Sequence, residues 1–459
     1  PGAGAGPGRA RGGGRSLSLS PSRSLPRPLD PKPSPSPATT MSGEYVRGFD
    51  EIRKPAAPSD GDGGDGSVYP FTPKYQYEMK NNPLCGITLP AWLTILRRRW
   101  RQIDWVAYGP RLAFITYMAC LNTFLSAIEF VLNGRAVRAA EARQEHAWQS
   151  ERPVFVLGHP RTGTTLLHGM LALDKERFRY CDTFAAGFPN AFLWFEGIGK
   201  KLLAGVIDET RPMDNMKLSF DLPQEEELAT NVLSAGASPY MPLFFMRNAA
   251  DFEPLYSFDD ASAEDKAAWL GAFRRVVAKL EVQEGRRRPG RAPRRLLLKS
   301  PVHTARARLL LQLFPRAEFV YVHRHPLEVF ASAAHMVDEA YWYTFLAKPT
   351  AEQMQEFILS QYEILWDAYE RDRKELLEPQ GRIYEVRFED LTTAPVETLR
   401  GVYEHFGWEG FDEGVKPAIE AECRELKGYK KNRLRTLPPA LEEIVRGRWG
   451  PSFERLGYE

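Results

Sequence analysis

The 459-residue chain is poor in cysteine: its four, Cys85, Cys120, Cys181 and Cys423, lie far apart and form no C-x-x-C pair. That spacing excludes a zinc ribbon and a thioredoxin-like redox centre, and it provides no framework for disulfides. The eight histidines include no H-E-x-x-H pair, so the sequence argues for no metal. Charge of one sign is missing as well. With 61 basic and 59 acidic side chains the net charge is only +2, which excludes bulk binding of a polyanion such as nucleic acid and makes any anion site a local feature. No N-x-[ST] sequon occurs, which weighs against a secretory lumen, and no internal repeat is evident.

What is present falls into four zones. Residues 1–40 are almost wholly Pro, Gly, Ser, Ala and Arg, a composition that cannot bury enough apolar surface to fold, so a disordered or non-native leader is expected before Met41, the first methionine. Residues 41–86 read as a polar linker. Residues 87–150 read as a helical segment with a tie to a membrane. Within it, Leu112–Leu132 runs for 21 residues with Glu129 as its only charge, close to the ~20 residues a span requires. Asn122, Ser126 and Glu129 recur at spacings of four and three, one polar stripe on an apolar helix. Such a stripe suits a helix packed on protein or lying at a membrane surface better than one surrounded by lipid. Arginines flank both ends, Arg97–Arg99 and Arg111 before, Arg135 and Arg138 after, so the charge rule gives no orientation. The expected location is cytoplasmic or membrane-associated, with the Golgi or endomembranes as the alternative.

From residue 151 to 459 the pattern alternates. Apolar runs at Val154–Gly158, Arg295–Lys299, Glu318–His323 and Arg382–Phe388 are each followed by a helical period. This predicts an α/β fold, a three-layer, P-loop-like parallel sheet flanked by helices, with the earlier helical segment as an N-terminal extension. About 130 residues separate the first two runs, an insertion expected to cap the site.

The first run leads into "VFVLGHPRTGTTLLHGML", Val154–Leu171. Gly158 and Gly163 have the spacing of a phosphate-gripping G-x-x-x-x-G-K-[ST] loop, but Thr164 and Thr165 follow where the lysine would stand. A strand, a glycine turn and a helix start offer main-chain N–H groups and a positive helix end to an anion, and Arg161 adds a cation able to straddle two oxygens. The residues expected to hold the anion are Arg161, Thr162, Gly163, Thr164, Thr165 and Leu166. Without the lysine, a P-loop kinase lacks its γ-phosphate clamp, so a shorter, metal-free phosphate chain fits better.

"PRTGTTLLH" resembles the 5′-phosphosulfate loop of the sulfotransferases, which take the sulfuryl group from 3′-phosphoadenosine 5′-phosphosulfate (PAPS). In "YVHRHPLEVFASAAHM", Arg324 closes a run and Ser332 follows eight residues later, the spacing of the pair that grips the 3′-phosphate in that family. "RPMDN", "LPQEEELA", "LLLKSPVHTARARLLLQLFPRAEFVYVHRHP", "VRFEDL", "GYKKNRL" and "RWGPSFERLGY" extend the resemblance, in order, to the broad sulfotransferase group of bacteria and unicellular eukaryotes. The RKGxxG segment of the cytosolic small-molecule sulfotransferases is absent. "GYKKNRLR" occupies a similar place, with Lys430 and Arg433 as candidate phosphate contacts. The resemblance implies PAPS as donor, no required metal, and a hydroxyl, less readily an amine, of a small molecule or saccharide as acceptor. A nucleotide or nucleoside kinase with an altered loop, and a membrane-tethered nucleotide-binding protein without turnover, are the alternatives. Acceptor and oligomeric state are not specified.

For the chemistry, Lys299 at a strand end and His303 just beyond it are the first choice: the lysine to polarise the sulfuryl group, the histidine to take the acceptor's proton. Asp182 is the second candidate base. Glu225, Glu226 and Glu227 are further candidates, although an acidic run is usually a solvated helix face. His159 reads as a loop-shaping or acceptor-side residue. The basic run Arg286–Arg295 reads as a solvated loop, with an acidic acceptor as the alternative, and Tyr341–Phe345 as either acceptor lining or core.

Overall fold

The computed structural model describes residues 66–205, 216–426 and 434–459, with Gly2 and Thr210 besides; Lys430, Arg433 and "RPMDN", Arg211–Asn215, lie outside the described residues. Five parallel strands form one sheet in the order β2-β3-β1-β4-β5, with β1 Val154–Leu157, β2 Phe178–Arg179, β3 Arg295–Lys299, β4 Glu318–His323 and β5 Ile383–Arg387. Four of these are the expected runs. The fifth, β2, has two residues at the sheet edge, too few to leave a hydrophobic pattern.

The strands lack polar alternation because both faces of the sheet are covered. Val154, Val156, Leu297, Val320 and Val322 enter one core, while Phe155, Leu157, Leu296, Leu298 and Phe319 enter another. Each aliphatic or aromatic side chain so buried contributes roughly 1.5–3 kcal/mol.

The helices that bear on the site are α1 Leu89–Arg99, α2 Gly109–Ser150, α3 Thr164–Leu171, α4 Phe192–Leu202, α5 Glu226–Leu233, α6 Ala263–Arg287, α7 Pro326–Met336, α8 Ala351–Asp372 and α9 Pro439–Leu456. Their starts follow local chemistry. Ser262 caps α6 by accepting from the Asp265 N–H, and Thr350 and Gln353 form a reciprocal capping box on α8, each cap contributing ~1 kcal/mol. Pro326 opens α7, where no N–H is needed.

The helical segment before β1 is not a separate body. Trp92, Ile95, Ile115 and Trp148 share one hydrophobic core with Phe155 and Leu298, and α2 is tied to α6 by the Gln144 amide donating to the Arg274 carbonyl at 2.8 Å. The expected linker also differs in its last part. Tyr69 is 2% exposed and its N–H donates to Gln355 Oε1 at 2.9 Å, so aromatic anchors fix residues from Gly66 onward to the α8 side of the domain.

The chain leaves β1 for the β2 edge, returns through β3, and then crosses to the opposite side for β4. Connections therefore diverge at the carboxyl end of β1. In an open parallel sheet that is where a crevice opens and ligands bind.

Candidate active site

The turn after β1, residues 158–163, lies at that end of the sheet. Gly158 has φ +141°, and a Cβ there would lie 2.5 Å from the Val322 carbonyl. Gly163 has φ +101°, and its Cβ would lie 2.4 Å from the Phe388 ring. Only glycine fits either position, so the turn can pass close to its neighbours and leave its N–H groups on the open side. Arg161 adopts φ +78°, a conformation that costs a bulky residue about 1–3 kcal/mol and persists only where the surroundings impose it.

Those surroundings are specific. The Gly158 N–H donates to Thr304 Oγ1 at 2.8 Å, and the Thr162 hydroxyl donates to the His159 carbonyl at 2.8 Å. His159 is buried beneath the turn against Tyr362, ring centroids 4.9 Å apart, and burial pushes its pKa down to about 3. It is a neutral brace for the loop. Thr164 starts α3 and is 3% exposed, whereas Thr165 and Leu166 are partly open.

Arg161 lies between Arg324 and Ser332, the pair expected at the 3′-phosphate, and contacts both. Arg161 Nε donates to Ser332 Oγ at 3.0 Å, and Arg324 Nη1 reaches the Arg161 carbonyl at 3.4 Å. Arg324 also pairs with Glu328 at 2.7 Å and lies over the Phe388 ring at 4.5 Å. Two guanidinium groups and a hydroxyl thus border the glycine turn, a donor set with the charge and geometry for phosphate oxygens.

Lys299 closes β3 beside Val156. Its side chain is 1% exposed and its ammonium bridges two groups, donating to Thr165 Oγ1 at 3.2 Å and pairing with Glu225 Oε1 at 2.5 Å. The other oxygen of Glu225 accepts from the Tyr240 hydroxyl. Burial first, then the Glu225 charge, drives the Tyr240 pKa well up, so this phenol stays a donor. Glu225 is the N-cap position of α5 and keeps 20% of its side chain exposed. Tyr341, which ends a π-helical turn after α7, donates its hydroxyl to Met336 Sδ at 3.8 Å, the same sulfur that Arg161 Nη1 reaches at 3.9 Å.

Beneath Glu225 the next two glutamates turn inward. Glu226 is 0% exposed and accepts from the Lys299 N–H, from Ser300 Oγ and from His303 Nε2. Glu227, also 0% exposed, pairs with Arg306 at 2.8 Å and accepts from Trp269 Nε1 and from Ser238 Oγ. The run that reads as a solvated helix face is therefore one mouth residue followed by two wholly buried ones.

His303, the first-choice base in the sequence, lies in this inner layer. Its ring is 0% exposed and boxed by Phe155 and Phe273, with centroids 5.6 and 6.2 Å away, and an acceptor could reach Nε2 only by displacing Glu226. Asp182, the second candidate base, stands apart from the glycine turn. It caps the short helix Thr183–Gly187 by accepting from the Ala185 N–H at 2.8 Å, and faces Arg287 and Lys200. Burial raises its pKa. Arg286, Arg287 and Arg291 of the basic run are exposed, and the run is tied to the fold by Arg286 on Asn133 and the Leu193 carbonyl, Arg294 on Glu284 and Arg295 on Glu318. Trp342 and Phe345 are core. Tyr240 escapes sequence reasoning, since no motif marks it, while Thr304 and Phe388 lie inside quoted motifs that assign them no role. Among the described residues, no group of three or more His, Cys, Asp or Glu could hold a metal ion.

A glycine turn without a lysine, bordered by two arginines at the switch point of a parallel sheet, has the donor groups that suit a short phosphate chain. The sulfotransferase family model matches residues 153–413, and the chain belongs to that family. Curated relatives from Mycobacterium bovis and Mycobacterium tuberculosis, both omega-hydroxy-beta-dihydromenaquinone-9 sulfotransferase Stf3, are 29% identical over 377 residues, covering 82% of this chain and 90% of theirs. Among solved structures, sulfotransferase STF1 of Mycobacterium tuberculosis aligns with TM-score 0.54 at 16% identity over 79% of this chain and 92% of that one. STF9 of Mycobacterium avium aligns with TM-score 0.51 at 17% identity over 83% and 99%. The chain is a sulfotransferase with the P-loop-like parallel fold of these structures.

Proposed function

We propose that the chain transfers the sulfuryl group of PAPS to a hydroxyl on a small, lipid-like molecule, with Glu225 as the base. The observation that carries this reading is the Lys299 ammonium held between Thr165 of the glycine turn and Glu225. One cation there touches both the loop that would grip the donor's 5′-phosphosulfate and the carboxylate that faces the mouth.

The roles follow from the contacts. The N–H groups of Thr162–Leu166 and Arg161 would bind the 5′ end, and Arg324 with Ser332 the 3′-phosphate. The acceptor oxygen attacks sulfur in line as the bond from sulfur to the bridging oxygen breaks. That oxygen's electron pair leaves with adenosine 3′,5′-bisphosphate (PAP), and the acceptor's proton passes to Glu225. Lys299 neutralises charge that grows on the sulfuryl and bridging oxygens, an effect strongest in a site shielded from water. Lys299 and the Tyr240 hydroxyl hold one carboxylate oxygen each and so fix the orientation of Glu225 toward the mouth. The hydroxyl acceptor is carried from the Stf3 relatives, whose name specifies a hydroxylated menaquinone.

The test has two parts. Calorimetry should detect PAP binding with or without magnesium, and labelled transfer from PAPS should favour long-chain and isoprenoid alcohols over saccharides and amines. Binding of ATP that requires magnesium, with none of PAP, would return the chain to the kinase reading.

A further inference from the structure

The long helix α2 has its polarity reversed with respect to a helix of a water-soluble protein. Among the apolar residues of its inward side stand the polar Asn122, Glu129 and Asn133, and each of these three is engaged. The Asn122 amide donates to the Cys85 carbonyl at 2.7 Å, Glu129 pairs with Lys279 and accepts from the Leu193 N–H at 2.9 Å, and Asn133 accepts from Arg286. Its outward stripe is apolar. Tyr117, Phe124 and Val131 recur at intervals of seven and are 66%, 65% and 81% exposed, with Leu121 between them. No charge faces out from Leu112 to Leu132, a length of about 30 Å of helix.

The face does not stop at α2. Trp194 of α4 donates its indole N–H to the Leu125 carbonyl at 3.1 Å, which docks the two helices together. On the same side of α4, one and two turns on, Ile198 and Leu202 are 54% and 69% exposed. Basic residues border the apolar area. Arg135 and Lys201 are exposed, Arg138 lies over the Phe130 ring at 5.2 Å, and Arg101 lies over Trp100 at 5.1 Å near the start of the helix.

We infer that this face docks on a lipid bilayer bearing anionic headgroups, with α2 lying in the interface rather than crossing it. Apolar side chains would enter the acyl boundary while the arginines and lysine meet the headgroups, the division of labour of an interfacial helix. A span is ruled out by the inward stripe, because lipid cannot surround a helix whose other side is packed on α1, α4 and α6. A second copy of the chain is the less suitable cover, because two such faces would bring their basic borders together. The inference rests on the surface alone and stands or falls apart from the reaction proposed above.

The experiment is flotation of the full chain with vesicles of phosphatidylcholine alone and with ~30 mol% phosphatidylglycerol. The chain should float with both, more strongly with the anionic vesicles, and that excess should vanish in high salt. The pair of substitutions Phe124→Asp and Val131→Asp should lower vesicle binding roughly tenfold or more, whereas Arg135→Glu with Lys201→Glu should remove only the anionic excess. PAP binding and melting temperature, unchanged in these surface variants, report that the fold is intact. A chain that stays in the aqueous phase with both vesicle types overturns the inference. So does a dimer in light scattering that Phe124→Asp turns into monomer, which would assign the face to a second copy.

Discussion

Two carboxylate–cation pairs sit two residues apart on α5 and its cap, and they are opposite in kind. Glu227 and Arg306 are both 0% exposed, and every oxygen of the carboxylate is taken by Arg306, Trp269 or Ser238. Glu225 is held by Lys299 and the Tyr240 hydroxyl, one on each oxygen, yet it keeps a fifth of its side chain open. A sealed, fully bonded pair can hold a fold together but has no access to a substrate. A pair with one open side can exchange a proton with something that arrives. The comparison teaches that exposure, not residue type, separates chemistry from scaffold here.

Removing the open carboxylate gives the sharpest break between the two. Glu225→Gln should lower kcat by 10²–10⁴-fold, the range for loss of a positioned base, while PAP affinity in calorimetry changes less than about threefold. His303→Gln should keep kcat within about tenfold of the parent and lose stability instead. If His303→Gln abolishes turnover and Glu225→Gln does not, the base lies in the deep layer and the comparison collapses.

Breaking the sealed pair should act on the fold. Glu227→Gln leaves the Arg306 guanidinium buried with one partner weakened, and an uncompensated buried charge costs about 3–5 kcal/mol. Urea unfolding should register most of that loss, with kcat per folded molecule close to the parent. A change below about 1 kcal/mol would mean that water reaches Arg306 and the layer is not dry.

The 3′-phosphate side tests how far the same logic extends. Arg324 is partly open and its partners, Glu328 and the Arg161 carbonyl, survive its removal. Arg324→Ala should weaken PAP by about 10–100-fold, the worth of charge-assisted hydrogen bonds to an ionised group, with little effect on unfolding. Unaltered PAP affinity would take Arg324 out of the site.

Much of this was legible in the sequence, for reasons that can be stated. Strands buried on both faces are unbroken apolar runs, so β1, β3, β4 and β5 stand out, whereas β2 is too short to carry a pattern. The glycine turn is legible because φ near +140° and +101° leaves a residue-type signature at Gly158 and Gly163. The polar stripe of α2 is legible as a stripe, but not which way it faces, since period alone does not distinguish inside from outside. The three glutamates illustrate the limit. A run of acid reads as surface by composition, and only the tertiary partners of Glu226 and Glu227, His303 and Arg306, supplied from 77 and 79 residues away, turn two of them inward. Tyr240 reaches the mouth from a segment with no motif at all.

The smallest expected effect probes the buried layer through protons. Burial depresses the pKa of His159 to about 3 and that of His323 to about 4, and holds His168 well down. The unfolded chain takes up protons at these histidines as pH falls below about 6.5 while the folded chain does not. Stability is therefore present above pH 6.5 and is lost as pH drops below it, by at most ~1.4 kcal/mol per pH unit for each histidine. Asp338 acts in the opposite sense, because burial raises its pKa to about 6: from there down toward 3.8 the folded chain holds the extra proton, which offsets about one histidine. Unfolding free energy measured at pH 7 and 5.5 should fall, and His159→Gln should reduce the fall by about 1 kcal/mol. An unchanged slope in that variant would mean that His159 ionises in the folded state, so that the layer under the glycine turn is wet and the line drawn between mouth and scaffold lies deeper than Glu226.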